Sequence, residues 1–271
     1  MRTSFFILSI FMCTKFLHAQ ELFVYSEPAS NMPAKSIGIR LTNNLVKQLN
    51  DNYEEHLQTE IMWGISKKIM VHAEGFFSNK NKSFRNEGGA IYIKYRFYSA
   101  DEVHSHFRMA AFARGAYNNS EIHDNAIELN GYNSGYEAGL VATKLLNKLA
   151  ISSTAYISHA TENGHKNKFS WSDGDRNALS YSLSAGRLIL PVNYSSYKQT
   201  NFTILADILG QSNIKNGRSY LDIAPAIQFI FFSKMRLDIG YRFNIINDLE
   251  RAGSRSFLLR FEYDFFSVYK L

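Results

Sequence analysis

The stretch RSFLLRFEYDFF, Arg255 to Phe266, alternates with a period of two. Phe257, Leu259, Phe261, Tyr263 and Phe265 fall on one side of an extended chain, and Leu258, Arg260, Glu262 and Asp264 on the other. Such a strand has one apolar face and one charged face. A soluble β-sandwich would turn the apolar face inward. A membrane barrel would turn it outward to lipid and keep the charges in its lumen. The pattern therefore restricts the fold to these two arrangements, and the rest of the chain must choose between them.

The same alternation recurs along the sequence. It marks strands over Ser36–Asn43, His56–Ser66, Ile69–Ser78, Gly88–Tyr98, His106–Tyr117 and Gly135–Leu145. It continues over Leu149–His159, Ala178–Leu190, Thr200–Gly210, Arg218–Phe232, Met235–Ile245 and the stretch above, about twelve in all. In Gly135–Leu145 the pattern is imperfect, because Lys144 falls on the apolar side. Most segments approach 9–11 residues, enough to cross a bilayer when tilted. Tight connections at Lys67-Lys68, Asn147-Lys148 and Ser233-Lys234 alternate with longer polar ones at 79–87, 161–177 and 246–254. Two connections, 99–105 and 191–199, are long for the tight side. Aromatic residues gather at both strand ends: Trp63, Phe97, Phe229, Phe231 and Phe265 on one rim, Phe77, Tyr117, Phe243 and Phe257 on the other. A sandwich explains the alternation but neither the loop rhythm nor the two girdles. The reading is all-β: a transmembrane antiparallel up-and-down barrel of about twelve strands, over 36–266.

The first residues, MRTSFFILSIFMCTKFLHAQ, have the layout of a secretory signal: Arg2, an apolar run Phe5–Met12, and a small residue at Ala19 before Gln20. The expected organisation is a cleaved signal peptide over 1–19, an N-terminal periplasmic segment over 20–35, the barrel, and a tail over 267–271. Cys13 is the sole cysteine of the 271 residues. Cleavage would remove it and leave no thiol chemistry. It would also remove Arg2 and Lys15, leaving 28 basic against 24 acidic residues. That mild, scattered charge excludes a nucleic-acid partner. Mean hydropathy is −0.23, too low for a helical membrane protein.

The Ala19-Gln20 junction, the opening FVYSEPASNMPAKSIGIRL (23–41) and a last strand ending FEYDFF resemble outer-membrane β-barrel proteins of Gram-negative bacteria, of the Bacteroidetes type. The resemblance is one of pattern over nearly the whole mature chain. It implies residence in outer-membrane lipid and assembly by the barrel insertion machinery, which reads an aromatic-rich last strand. Here Phe265-Phe266 is followed by five more residues. Barrels of this kind are transporters or porin-like channels, and no solute-binding residue carries over.

The inward face collects the ionisable groups Arg40, Glu60, Glu74, Lys94, Arg96, Arg108, Arg114, Glu137, Asp207, Asp222, Arg236, Asp238, Arg242, Arg260, Glu262 and Asp264. A hairpin turning near residue 250 sets Arg236 near Asp264 or Glu262, and Asp238 near Glu262 or Arg260. Lys94, Arg96, Arg108 and Arg114 form a basic wall on two neighbouring strands, which favours small polar or anionic solutes. Alternatively Glu60, Glu74 and Glu137 neutralise that wall across a narrow lumen. No G-x-S-x-G, H-E-x-x-H or P-loop is present. His104-Ser105-His106 is the nearest approach to a catalytic or metal grouping and lacks a third partner. His123-Asp124, His159 and His165 fall in outer loops. The chain therefore reads as a non-enzymatic barrel without metal or cofactor. The alternatives are a lipid-modifying hydrolase, or a structural or adhesive barrel acting through loops such as 161–177.

Overall fold

The computed structural model of the protein describes residues 23–47, 52–80, 83–103, 105–122, 125–165, 175–194, 196, 198–249, 251 and 255–269. The expected signal peptide with Cys13, together with His104 and His123-Asp124, lies outside the described residues. Twelve strands follow one another: β1 (Ser36–Lys47), β2 (Tyr53–Gly64), β3 (Ile69–Ser78), β4 (Arg85–Asp101), β5 (Ser105–Asn118), β6 (Ser134–Leu146), β7 (Leu149–Thr161), β8 (Asn177–Leu190), β9 (Asn201–Asn213), β10 (Ser219–Phe231), β11 (Met235–Asn247) and β12 (Arg255–Phe265). Each pairs antiparallel with its sequence neighbours, and β1 pairs with β12 to close the barrel. Closure leaves no free sheet edge within the wall.

The faces are turned outward-apolar. Ile39, Leu41, Ile61, Ile91, Ile93, Leu140, Ile157, Leu183, Ile204, Leu259 and Phe261 are between 41% and 56% exposed. The residues between them point inward, and Arg40, Glu60, Lys94, Asp207, Asp238 and Glu262 are buried. A sandwich would show the reverse. The wall is therefore an inverted one, apolar outside and charged inside.

The connections sort to two ends. The connections β2–β3, β4–β5, β6–β7 and β10–β11 share one end with the longer β8–β9 connection and with the start of β1 and the end of β12. Asn147 takes a positive φ of 54°, which asparagine tolerates in a two-residue turn. The long polar turn expected at 99–105 is shorter in the structure. β4 continues to Asp101, which pairs with His106, because ladder bonds join backbones whatever their side chains. For the same reason β1 runs on through Asn43 and Asn44 to Lys47, and β2 begins at Tyr53.

The segment expected over 20–35 as a periplasmic extension does not stand clear of the barrel. Phe23 to Lys35 threads the lumen at the short-turn end. Phe23 and Val24 pack with Leu145, Ala150, Leu205, Ala226 and Leu258. Ala29 packs with Ala110 and Val141, and Met32 with Met62, Met70 and Tyr92. Burying Phe23, Val24 and Met32 stabilises by roughly 1.5–3 kcal/mol each. Gly240 leaves the space for the Tyr25 ring; a Cβ there would lie 2.7 Å from the phenol oxygen. The tail fastens the segment's end, since Val268 N–H donates to Lys35 O at 2.9 Å and Tyr269 O–H to Gly64 O at 3.2 Å.

Candidate functional site: the lumen

Three groups of side chains line the interior. At the short-turn end β1, β2, β11 and β12 carry a charge network. Arg40 Nε donates to Glu262 at 2.6 Å, while its Nη1 lies 2.7 Å from Glu27 and 3.3 Å from Glu60. Arg236 meets Asp238 at 2.9 Å and Glu262 at 3.5 Å. Register pairs Arg236 with Glu262 and Asp238 with Arg260, within the options read from the sequence. Asp264 is buried beside Gly38.

Toward the long-loop end, Arg114 lies 3.1 Å from Glu74 and 3.3 Å from Glu137. Arg242 donates to Asp222 at 2.6 Å and reaches Glu128 at 3.3 Å, and Arg251 also binds Asp222. Here the connection between β5 and β6 folds inward. The Gln211 amide makes two bonds of 2.8 Å with the backbone N–H and C=O of Ile127. His56 stacks on Tyr132 at 5.0 Å. This inner loop narrows the lumen from above.

The third group is a row across β5 to β9, set by register: Arg108 beside Thr143, Thr143 beside Ser152, Ser152 beside Ser184, and Ser184 beside Asp207. The N-terminal segment lies along this row. Arg108 Nη1 donates to Ser30 Oγ at 2.9 Å. Ala29 N–H donates to Thr143 Oγ1 at 2.9 Å, itself 2.8 Å from Ser152 Oγ. Ser26 Oγ lies 2.7 Å from Ser184 Oγ and donates to Asp207 at 3.4 Å. Buried Lys94 donates to Pro28 O at 2.6 Å and Ser30 O at 2.9 Å, and lies 3.8 Å from Glu27. Arg260 Nη1 donates to Val24 O at 2.6 Å.

Between inner loop and segment lies a cavity of about 230 Å³. Its lining rises along Arg40, Thr42, Asn44 and Val46 of β1, and its floor is Val24 to Glu27. Below the segment a pocket of about 20 Å³ remains, room for a water molecule or so. The segment therefore separates the cavity from the short-turn mouth.

No protein-family model and no curated protein sequence matches this chain. Among solved structures it is similar to an outer-membrane channel from Pseudomonas putida, at 11% identity and a TM-score of 0.54, covering 90% of this chain and 100% of that one. The chain has the fold of outer-membrane β-barrels. The β-domain of the Bordetella autotransporter BrkA is a more distant likeness, at 10% identity and a TM-score of 0.43, covering 86% of this chain and all of that one.

The basic wall divides in the structure. Arg114 is ion-paired with Glu74 and Glu137, two of the acids named as neutralising partners. Lys94 and Arg108 are bound by the segment, and Arg108 also lies 3.1 Å from Asp101. Arg96 sits at the short-turn rim, where β4 bulges, and donates to Lys67 O at 2.7 Å. His106, the second residue of β5, is buried; His104 lies outside the described residues. Glu60, His72 and Glu74 approach within 4.8 Å of one another, a possible metal-ligand spacing. Arg40 and Arg114 already hold the two carboxylates, so the group reads as part of the charge network.

Sequence reasoning missed Ser26, Glu27, Ser30, Glu128, Gln211 and Arg251. All but Gln211 lie outside strands, where alternation gives no facing. A signal was nevertheless present. Leu145, Leu205 and Leu258 fall on the inward face, which an open aqueous lumen would not favour. The misfit noted at Lys144 is this feature: Lys144 points outward so that Leu145 can meet Phe23 and Val24.

Proposed function

We propose that this chain is a porin-like barrel of the bacterial outer membrane that passes small polar solutes, with its N-terminal segment as the gate. The carrying observation is the cavity of about 230 Å³ inside an apolar-faced barrel, floored by Val24 to Glu27 of a segment that precedes β1. Residues 23–35 do not join two strands, so they can leave the lumen without breaking a strand connection, whereas the inner loop joins β5 to β6. The apolar belt is suited to lipid, and the last strand to the insertion machinery. The short-turn end, with both ends of the barrel, faces the periplasm in this reading, after export on the signal peptide. The charge networks give the lumen a nearly balanced potential, so passage is governed by size and hydrogen bonding more than by net charge.

The test is a reversible lock. The Ser26 and Ser184 hydroxyls are 2.7 Å apart, so cysteines at both positions can form a disulfide with little movement. In planar bilayers the Ser26→Cys/Ser184→Cys protein should conduct at least about tenfold less when oxidised than when reduced. Each single variant should ignore the reductant. Folded protein that conducts equally in both states, with the disulfide verified by mass, would remove the gate from this proposal. Absence of conductance in every state would remove the channel.

A further inference from the structure

The wall that holds the segment, the row together with Lys94 of β4 and Arg260 of β12, is built around a peptide backbone. Lys94 binds the carbonyls of Pro28 and Ser30, Arg260 binds that of Val24, and Thr143 accepts from the N–H of Ala29. These four bonds are blind to side-chain identity. Main-chain bonding, with side chains left to choose the sequence, is how peptide-binding edges and grooves work.

The ends of the row differ in charge. Lys94 and Arg108 stand at the β4–β5 end, where the segment has reached Ser30. Asp207, fully buried, stands at the β9 end beside Ser26. Between them the wall offers hydroxyls of Thr143, Ser152 and Ser184 and no charge. The distance from β5 to β9 is about 19 Å along the wall, four strand spacings of about 4.8 Å. Residues 26–30 run along it with bends at Ser26 and Ala29; four or five residues cover at most about 13–16 Å of it, and the reach of the lysine, arginine and aspartate side chains closes the rest. A free peptide lying in the direction of residues 26 to 30 would bring its ammonium group to Asp207 and its carboxylate to Lys94 and Arg108. The segment carries neither terminal charge at these points.

We propose that the solutes of this barrel are short peptides of about four or five residues with free termini, and that residues 26–30 occupy their site in the closed state. The proposal rests on the channel reading above and names its substrate class. It accounts for one feature that closure alone does not need: a row of uncharged hydrogen-bonding groups ending in opposite charges.

The experiment is uptake into proteoliposomes bearing the intact mature chain. The probes are radiolabelled tetra-alanine with free termini, the same peptide acetylated only, amidated only, and capped at both ends, with D-glucose and inorganic phosphate. The free peptide should enter about tenfold faster than the capped one, the effect of losing charge-assisted hydrogen bonds. Lys94→Met should remove the preference for a free carboxylate over an amide, and Asp207→Asn the preference for a free amine over an acetylated one. Because the capped and free peptides are compared on unaltered protein, the result does not depend on either variant folding. Equal rates for capped and free peptide, or glucose and phosphate entering as fast as the peptide, would overturn the peptide assignment and leave a general channel. Ion conductance without peptide uptake would do the same. Loss of ion conductance as well would overturn the channel reading beneath it.

Discussion

Glu27 is the residue on which the seating of the segment is most sensitive to solution conditions. Burial opposes its ionisation, but Arg40, Lys94 and His72 outweigh this and hold its carboxyl well below the ordinary carboxylate range. A depressed value in the seated state means that ionised Glu27 stabilises seating at all pH above its ordinary value. The contribution declines as pH falls below about 4.5 and is gone once pH passes below the depressed value. Acidification of the bath from pH 7 to pH 3 should therefore raise conductance, and Glu27→Gln should conduct more at pH 7 with a flatter response. On the outer face the decisive contrast is Ile93 against Ser182, the one 48% exposed and the other buried inward. Arg at position 93 should cost about 2–4 kcal/mol of folding stability in lipid if it sits near mid-depth, and Arg at 182 distinctly less. Reversible unfolding in vesicles gives the order, and the opposite order would contradict the inside-out assignment. These facings were readable from alternation alone. Glu27 was not, because a residue outside a strand has no periodicity to orient it.

Among the elements, the inner loop and the N-terminal segment close the lumen by different means. The loop is fixed by the paired bonds between Gln211 and Ile127, with Ala126, Tyr220 and Leu249 packed beside them. Gln211→Leu leaves a buried N–H and C=O without that partner, at roughly 1–3 kcal/mol each. Amide exchange at Ile127 should then accelerate by at least about tenfold, while amides in β9 and β10 stay protected. Unchanged exchange would mean that packing alone holds the loop. The twelve strands were legible because each repeats the same two-residue rule, and boundary errors arose where pairing outlasts the apolar pattern, as at Asn44–Lys47 and 99–101. The two inward elements were not legible as such. Their contacts join residues more than a hundred positions apart, such as Ala29 with Thr143 and Glu128 with Arg242, and nothing local in FVYSEPASNMPAK announces a lumen rather than a periplasmic tether.

At the scale of the molecule, the barrel is a polar cavity held between two closures inside an apolar belt, and the segment and inner loop that occupy its lumen make a wide-open aqueous pore incompatible with this state. One closure is continuous with the wall. Residue 35 leads directly into β1, so the segment never diffuses away from its seat. Its local concentration beside the row is fixed by that connection, on the order of millimolar or more for a short tether. On the proposed reading, a solute arriving from outside competes with this permanent neighbour rather than with water. Half-saturation of flux should therefore lie above the row's intrinsic dissociation constant for a free peptide, by about the ratio of the segment's local concentration to the segment's own dissociation constant, and reach the millimolar range for a peptide that fits no better than the segment. A transporter arranged in this way acts as a concentration threshold: nearly silent when its solute is scarce, and responsive only when the solute is abundant enough to win the seat from the protein's own chain.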